Sequence, residues 1–441
     1  MKRTPCLRAV LALTILFAPV AISAGENIPP SPLLEQLIEI ALTENSGLKA
    51  SENRLQIFEN KIPPAGSFND PTLSFGLSNY PVDTLNDNQT PMTGKSIKLS
   101  QAFPFPGKLA AREMAAEQQA QWYQGMLADN RLQVIRKIKE SYYSLYSLNK
   151  AILITEKNIS LLKDFIRLTE TSYETGKGLQ QDVLRAQMEH AVLIDRLYTF
   201  RQQHQSALAE MERTLNQSLP FSLSDLPDFN FPDLPPSSAD LEQTAEENRP
   251  LLSSYQAVIR QYQAQKELAK LDFNPDLKVG LAYTFRERTA ADRGTDFVGI
   301  ELGMDLPVYR AKRNAAVAEA EAGRRMAIEQ YRDIQTTILF NIHDEYSRLE
   351  KAYAQFNLYK SGILPLARQN FEAVLSGYQV GKNSFLALLE SQKAVNNYEM
   401  EYYRALAEGQ RSWARLEAET GMALSTSPVQ QESNALDQIQ N

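Results

Sequence analysis

The chain has one cysteine, Cys6, among 441 residues, and only three histidines. A single thiol leaves no intrachain disulfide and no thiolate metal site. His190 and His204 stand 14 residues apart on one helical stretch, about 21 Å, so they cannot share an ion. His343 has Asp344 and Glu345 beside it but no histidine one helical turn away. Also missing are a Gly-x-Ser-x-Gly elbow, a phosphate-cradling glycine loop and a cysteine nucleophile, so an enzyme reading fails for want of parts. No metal, cofactor or catalytic residue is expected.

Long apolar runs are lacking too. The longest, Ala9–Val20, is too short for a stable membrane span. With Lys2, Arg3 and Arg8 before it and Ala21-Ile22-Ser23-Ala24 after it, residues 1–24 read as a secretory signal cleaved after Ala24. Cleavage removes 3 of 46 basic residues and none of the 53 acidic ones, so the net charge moves from −7 to −10. Cys6 leaves with the signal, and no cysteine remains to carry an N-terminal lipid. An acidic exported chain of this kind is not a nucleic-acid binder. Any membrane location must come through strands, which means an outer membrane.

Two stretches alternate with period two. Leu73, Phe75 and Leu77 oppose Thr72, Ser74, Gly76 and Ser78; Ile97, Leu99 and Phe103 oppose Ser96, Lys98, Ser100 and Ala102. The pattern predicts a β-hairpin over 71–103. A second hairpin is predicted over 276–306, where Leu277, Val279, Leu281, Tyr283 and Phe285, then Val298, Ile300, Leu302, Met304 and Leu306, occupy alternate positions. Lys98, Lys278, Glu301 and Asp305 fall on the polar face. A barrel wall has this pattern, and so does a hairpin resting on a soluble core.

Between and after the hairpins the periodicity is helical. Ser31–Ile62 reads as one helix with Ser31 as N-cap, and Leu241–Leu271 as another. Lys108–Tyr173 contains no proline and only one glycine, Gly125. As a helix it would reach roughly 100 Å, a rod no single globular core requires. Leu145, Ile152, Ile159, Ile166 and Tyr173, with Leu148, Thr155, Leu162 and Thr169, form a heptad seam. Gly176, Lys177 and Gly178 break the rod near 173–183, and a return helix carries Val183, His190, Leu197, His204 and Met211 beside Ala186, Leu193, Phe200 and Ala207. Seam histidines among polar neighbours could titrate near neutral pH and bias opening.

The plan then repeats. A first repeat over 25–217 and a proline-rich linker over 218–238 are followed by a second repeat over 239–421, with its tip near 378–388, and a polar tail over 422–441. Tyr173-x-x-Gly176-Lys177 returns as Tyr378-x-x-Gly381-Lys382, and Gln187 as Gln392. Pro365, where the first repeat has Ser160, predicts a kink in the second rod. The expected fold is mainly α with a small β part: tandem antiparallel coiled-coil hairpins, each with a β-hairpin. Four strands are too few to close a barrel, whereas about twelve from three chains would close one.

Three groups of residues carry a family resemblance: Ala65-x-x-x-x-Asp70-Pro71-x-Leu73, Phe103-Pro104-x-Pro106-Gly107-Lys108, and the two Tyr-x-x-Gly-Lys tips. In this order, and duplicated, the chain resembles the TolC-type outer-membrane efflux ducts, and the Pro-Phe-Pro-Gly-Lys run looks most like their heavy-metal branch. The resemblance implies a homotrimer in outer-membrane lipid, with a transmembrane β-barrel on a periplasmic α-barrel tunnel. It also implies a periplasmic adaptor docking at Tyr173, Gly176, Lys177, Tyr378, Gly381 and Lys382, and an inner-membrane transporter of the resistance-nodulation-division type. Family gates use acidic rings near the tips; the matching positions are Asp182 and Glu390, although their counterparts in the other repeat are Ala387 and Arg185. Without the resemblance, Asp182 reads as an N-cap and Glu390 as a solvated charge. A multidrug efflux duct, a type I protein-secretion duct and a soluble periplasmic coiled-coil scaffold are the other functions the pattern allows.

Overall fold

The computed structural model describes residues 32–424, apart from 220–222, 224–225, 232–233 and 236. The signal segment, Ser31 and the tail from 425 lie outside the described residues. In chain order, α1 (Pro32–Glu44), α2 (Ser46–Glu59) and α3 (Ile62–Gly66) lead to β1 (Thr72–Ser78) and β2 (Gly94–Phe103). The rods α4 (Lys108–Glu174) and α5 (Gln180–Leu215) follow. The second half repeats the order with α6 (Ser238–Asn248), α7 (Pro250–Leu271), β3 (Leu277–Phe285), β4 (Phe297–Met304) and α8 (Arg310–Asn357). A π-helical turn, Leu358–Ile363, joins α8 to α9 (Leu364–Gln379), and α10 (Phe385–Thr420) ends the fold.

Each repeat opens with two helices where the sequence suggested one. In the first, Asn45 leaves the helical region and its side-chain oxygen accepts the Leu48 N–H at 3.0 Å, capping α2. Its amide also donates to the Thr214 carbonyl at 2.7 Å. In the second repeat Arg249 is the break and Pro250 starts α7, a position where its missing N–H costs nothing. The break positions are 204 residues apart, and the apolar residues around them match at the same offset. Leu37, Ala41 and Leu48 correspond to Leu241, Ala245 and Leu252, and all six are buried.

The middle of the molecule is a hub in which these short helices cover the rods. Leu34, Leu37, Ala41 and Leu48 pack on Leu127, Val134, Ile138, Tyr142 and Leu145 of α4. Leu241, Ala245 and Leu252 pack likewise with Ile338, Ile342 and Leu349 of α8. The proline-rich linker belongs to this hub. Leu223 and Leu226 are buried there, the Asn149 amide holds the Leu223 carbonyl at 2.6 Å, and Phe229 stacks near Tyr146.

Below the hub the α4 seam differs from the heptad reading. Thr155, Leu162 and Thr169 are buried, but their companions are Ala151, Asn158 and Phe165; Ile152, Ile159 and Ile166 are only half-buried. The reason is that α4 packs between α5 and α10, so its buried stripe is wider than a two-stranded seam and centred one residue earlier. On α5 both expected registers face inward, with Ala186, Leu193, Leu197 and Met211 buried.

A π-turn stands just before Pro365, where the proline predicts a kink. The turn also absorbs one extra residue. Above it, Val134, Ile138 and Leu145 match Ile338, Ile342 and Leu349 at an offset of 204, all buried; below it, Gly176 and Gly381 match at 205, each with φ +71°. A π-turn holds one more residue than the α-turn it replaces, so the second tip keeps the phase of the first.

Candidate pore-forming site

The four strands form one antiparallel sheet in the order β1-β2-β3-β4. Pairing of Leu99 with Leu281 and Ile97 with Tyr283 joins the two hairpins across the repeat boundary and keeps each face continuous. One face carries Leu73, Phe75, Leu77, Ile97, Leu99, Val279, Leu281, Val298, Ile300 and Leu302. None of the described residues covers it: Phe75 is 75% exposed, Ile300 76% and Leu302 79%. A hairpin resting on a soluble core would bury these side chains. The sheet's other face is polar, and strands of 7 to 10 residues are near the length of a tilted membrane crossing. β1 and β4 leave open edges.

The polar face brings Lys98, Lys278, Glu301 and, just past β4, Asp305 together in pairs, while the other strand charge, Lys95, lies between Leu77 and Phe285 on the apolar face. Lys98 forms an ion pair with Glu301, and the Lys278 Nζ lies 2.9 Å from an Asp305 oxygen. The polar face is thereby neutral along its length. Phe297 is its one large apolar residue, and the Arg286 guanidinium sits 4.7 Å above that ring. Arg286 also binds Asp292 and the Pro91 carbonyl, tying the two hairpin loops to each other.

At the far end the two rods turn with one geometry. Gly176 N–H donates to the Tyr173 carbonyl and Lys177 N–H to Ser172; Gly381 N–H donates to Tyr378 and Lys382 N–H to Gly377. The left-handed φ at Gly176 and Gly381 explains the glycine at both. A second pair is exchanged between the tips. Ser172 faces Gly178 in one, and Asn383 faces Gly377 in the other, because only one of the two positions has room for a side chain.

The tip residues are not equivalent. Tyr378 is half-buried against Phe385 at 6.0 Å, whereas Tyr173 is 49% exposed. Burial raises the Tyr378 phenol above its ordinary pKa, a hydrogen bond with Ser172 opposes that, and the charge of Asp182 adds to it. Tyr378 of the second tip thus contacts Ser172 of the first.

Asp182 is not the N-cap of α5. That position is Leu179, and Asp182 lies in the first helical turn, where the helix dipole favours its charge. Glu390 is exposed but not isolated. Lys393 stands 3.6 Å from it and 2.8 Å from the buried Glu189, so three side chains carry one net negative charge. Both histidines of α5 are half-buried, each with an Nε2 atom that lacks a hydrogen-bond partner, and burial lowers the His204 pKa. His204 is therefore neutral at pH 7. His343 binds Glu242 at 2.8 Å, and no group of His, Cys, Asp or Glu among the described residues could hold a metal ion.

Three clusters were invisible to spacing arguments. The first is the joint between sheet and rods, where buried Lys108 meets Asp272 and Asp276. The second lies in the hub, where Arg249 is 3.0 Å from Asp129 and 3.7 Å from Glu419; burial raises both acids. The third is a buried amide network in the rods, with Asn158 bonded to Gln392 and Asn396 at 2.6 Å each. Lys108 stood in a quoted motif, and its placement at a strand-to-helix break was the only signal; the other two depend on helix packing.

A sequence model of outer membrane efflux proteins matches the chain twice, over residues 37–218 and 241–422. The cobalt-zinc-cadmium resistance protein CzcC of Cupriavidus metallidurans is 24% identical over 411 residues, covering 91% of this chain and 94% of that protein. The pyoverdine export outer membrane protein OpmQ of Pseudomonas putida is 22% identical, covering 83% and 80%. Among solved structures, CusC matches with a TM-score of 0.76 at 14% identity, over 88% of this chain and 92% of that one.

Proposed function

The chain belongs to the outer membrane efflux protein family, and on that premise we propose how its parts work. It is an outer-membrane channel protein and does no chemistry of its own. Three copies join edge to edge into a barrel of about twelve strands, with the apolar face toward lipid and Lys98, Lys278, Glu301 and Asp305 in the lumen. The rods extend into the periplasm as a tunnel. A periplasmic adaptor docks at the two tips, through Tyr173, Gly176, Lys177, Tyr378, Gly381 and Lys382, and links the duct to an inner-membrane transporter of the resistance-nodulation-division type. Energy comes from that transporter; this chain supplies the path and its gate.

The observation that carries this reading is the bare apolar face of the sheet, open at both edges, on rods of up to 67 residues. No helix among the described residues is long and apolar enough to cross a membrane. A soluble scaffold would leave membranes in high salt. The duct should need detergent and then run as a trimer by light scattering; release by salt would end the proposal. Asp182 and Glu390 form the gate, with cations as cargo because acids at the narrow end attract them. The cargo follows from growth of a deletion strain on cobalt, zinc, cadmium, copper and silver salts beside hydrophobic drugs. Sensitivity to metals alone supports cation export, and sensitivity to drugs alone replaces it with a multidrug duct.

A further inference from the structure

The joint between sheet and rods exists once in each chain, although its parts occur twice. Lys108, 3% exposed, opens α4 just after β2. Its Nζ lies 2.8 Å from Asp276 and 3.1 Å from Asp272, and donates to the Asn274 carbonyl at 3.3 Å. Asp276 also accepts the Phe105 N–H at 2.7 Å. These are three alternate residues of the segment leading into β3, so one lysine ties a rod to the neighbouring strand across the β2–β3 pair.

At the offset of 204 that superposes Leu73 on Leu277 and Ile138 on Ile342, Lys108 corresponds to Lys312. Residues 272, 274 and 276 correspond to Phe68, Asp70 and Thr72. Asp70 is the one carboxylate of that set. Asp70 and Lys312 are both exposed, and neither has a hydrogen bond or ion pair from its side chain among the described residues. They cannot meet within one chain. Asp70 precedes β1 and Lys312 follows β4, and these strands are opposite edges of the sheet, about 14 Å apart at the usual strand spacing.

A second copy removes that separation. Placing β4 of one copy antiparallel on β1 of the next continues both faces of the sheet, since Val298, Ile300 and Leu302 share the apolar side with Leu73, Phe75 and Leu77. It also satisfies two edges of unpaired backbone groups. We propose that Lys312 of each copy pairs with Asp70 of the neighbouring copy, completing between subunits the joint that Lys108 makes inside each chain. The boundary joint has one carboxylate where the internal one has two, and both partners start solvated. It is the weaker and more salt-sensitive of the two.

This rests on the trimeric ring proposed above, and the test separates the two. In a protein with Cys6→Ser, the pair Asp70→Cys and Lys312→Cys is oxidised in detergent. Reducible dimers and trimers are expected on a denaturing gel, while Lys108→Cys with Asp276→Cys should stay monomeric. A trimer by light scattering that yields no cross-link would overturn the joint and leave the ring standing. So would stronger linkage from Asp70→Cys to Arg310→Cys. A monomer by light scattering would overturn both. Independently, Lys312→Asp should raise the monomer fraction at a fixed detergent concentration by about tenfold, and adding Asp70→Lys should restore the trimer. Absence of rescue would refute the pairing.

Discussion

The two repeats share a plan yet solve the same three problems differently. At the joint, the first repeat buries Lys108 against two carboxylates, while the second leaves Lys312 in solvent. In the rods, α4 runs unbroken for 67 residues, whereas its counterpart is divided by a π-turn. In the hub, Asn45 binds the Thr214 carbonyl, and the matching positions 249 and 419 hold an arginine and a glutamate. Even one acid has two environments: Asp129 is buried beside Arg249, and Asp333, its match at 204, is exposed. Duplication preserved the apolar frame, because each buried residue has many neighbours. The polar contacts diverged because each depends on one partner.

That comparison can be broken most severely in the rods. Deleting Ser160 from α4, which has no π-turn to absorb the loss, should rotate everything below it by about 100°, so the first tip no longer matches the second. Resistance conferred by the channel should fall to that of the deletion strain, with the protein still in the outer membrane. Normal resistance would show that tip phase is irrelevant. Next in size is the joint. Lys108→Met should cost about 2 kcal/mol in detergent unfolding, because two partly buried carboxylates lose their cation. Lys312→Met should stay within about 0.5 kcal/mol for the isolated chain. Equal costs would erase the difference between the repeats.

The tips offer a smaller contrast. Tyr378→Phe should loosen them by about 1 kcal/mol through loss of the Ser172 bond, read as faster hydrogen exchange at 172–178. Tyr173→Phe should leave that exchange unchanged. For the gate, Asp182→Asn should reduce cation selectivity in bilayer recordings more than Glu390→Gln, since Lys393 already offsets Glu390. Unchanged reversal potentials in both would remove the gate from these positions.

The smallest effect concerns pH. Burial raises Asp129 and Glu419, so the folded hub binds more protons than the unfolded chain in the window above their ordinary pKa values. The stability they contribute is fully present below that window and is lost as pH rises through the raised values. Lowering the pH from 7 toward 5 should therefore strengthen the hub, and Asp129→Asn should flatten the dependence. Glu321 behaves in the opposite sense. Arg324 and Lys266 lower it to about 2, so its contribution is present above its ordinary pKa and is lost as pH falls toward 2. A melting temperature that falls steadily from pH 7 to 5 would contradict the hub assignment.

The strands and tips were legible because each depends on local rules. Alternation placed Leu73, Phe75 and Leu77 on one face, and Tyr-x-x-Gly-Lys marked a left-handed turn. The break at Asn45 was not legible, since the apolar spacing continues through it and only the capping geometry interrupts it; at Arg249 the spacing also continues, and Pro250 was the signal that marked the break. The α4 seam came out one residue away because a sequence read alone does not say how many helices surround a rod. Asp182 and Glu390 could be placed near the tips, but their electrostatic weight depends on Lys393, Glu189 and Tyr378, which come from other turns and helices.

By itself the sequence determined the duplicated plan, the β-hairpins, the rods and their tips, because hydrophobic period, turn residues and proline act within a few residues of where they stand. Only the tertiary structure decided that the apolar sheet face has no cover among the described residues, that the π-turn restores phase below it, and that Lys108 is buried while Lys312 is exposed. Those outcomes depend on which surfaces meet across some 200 residues of chain, and a local pattern does not record its distant neighbour.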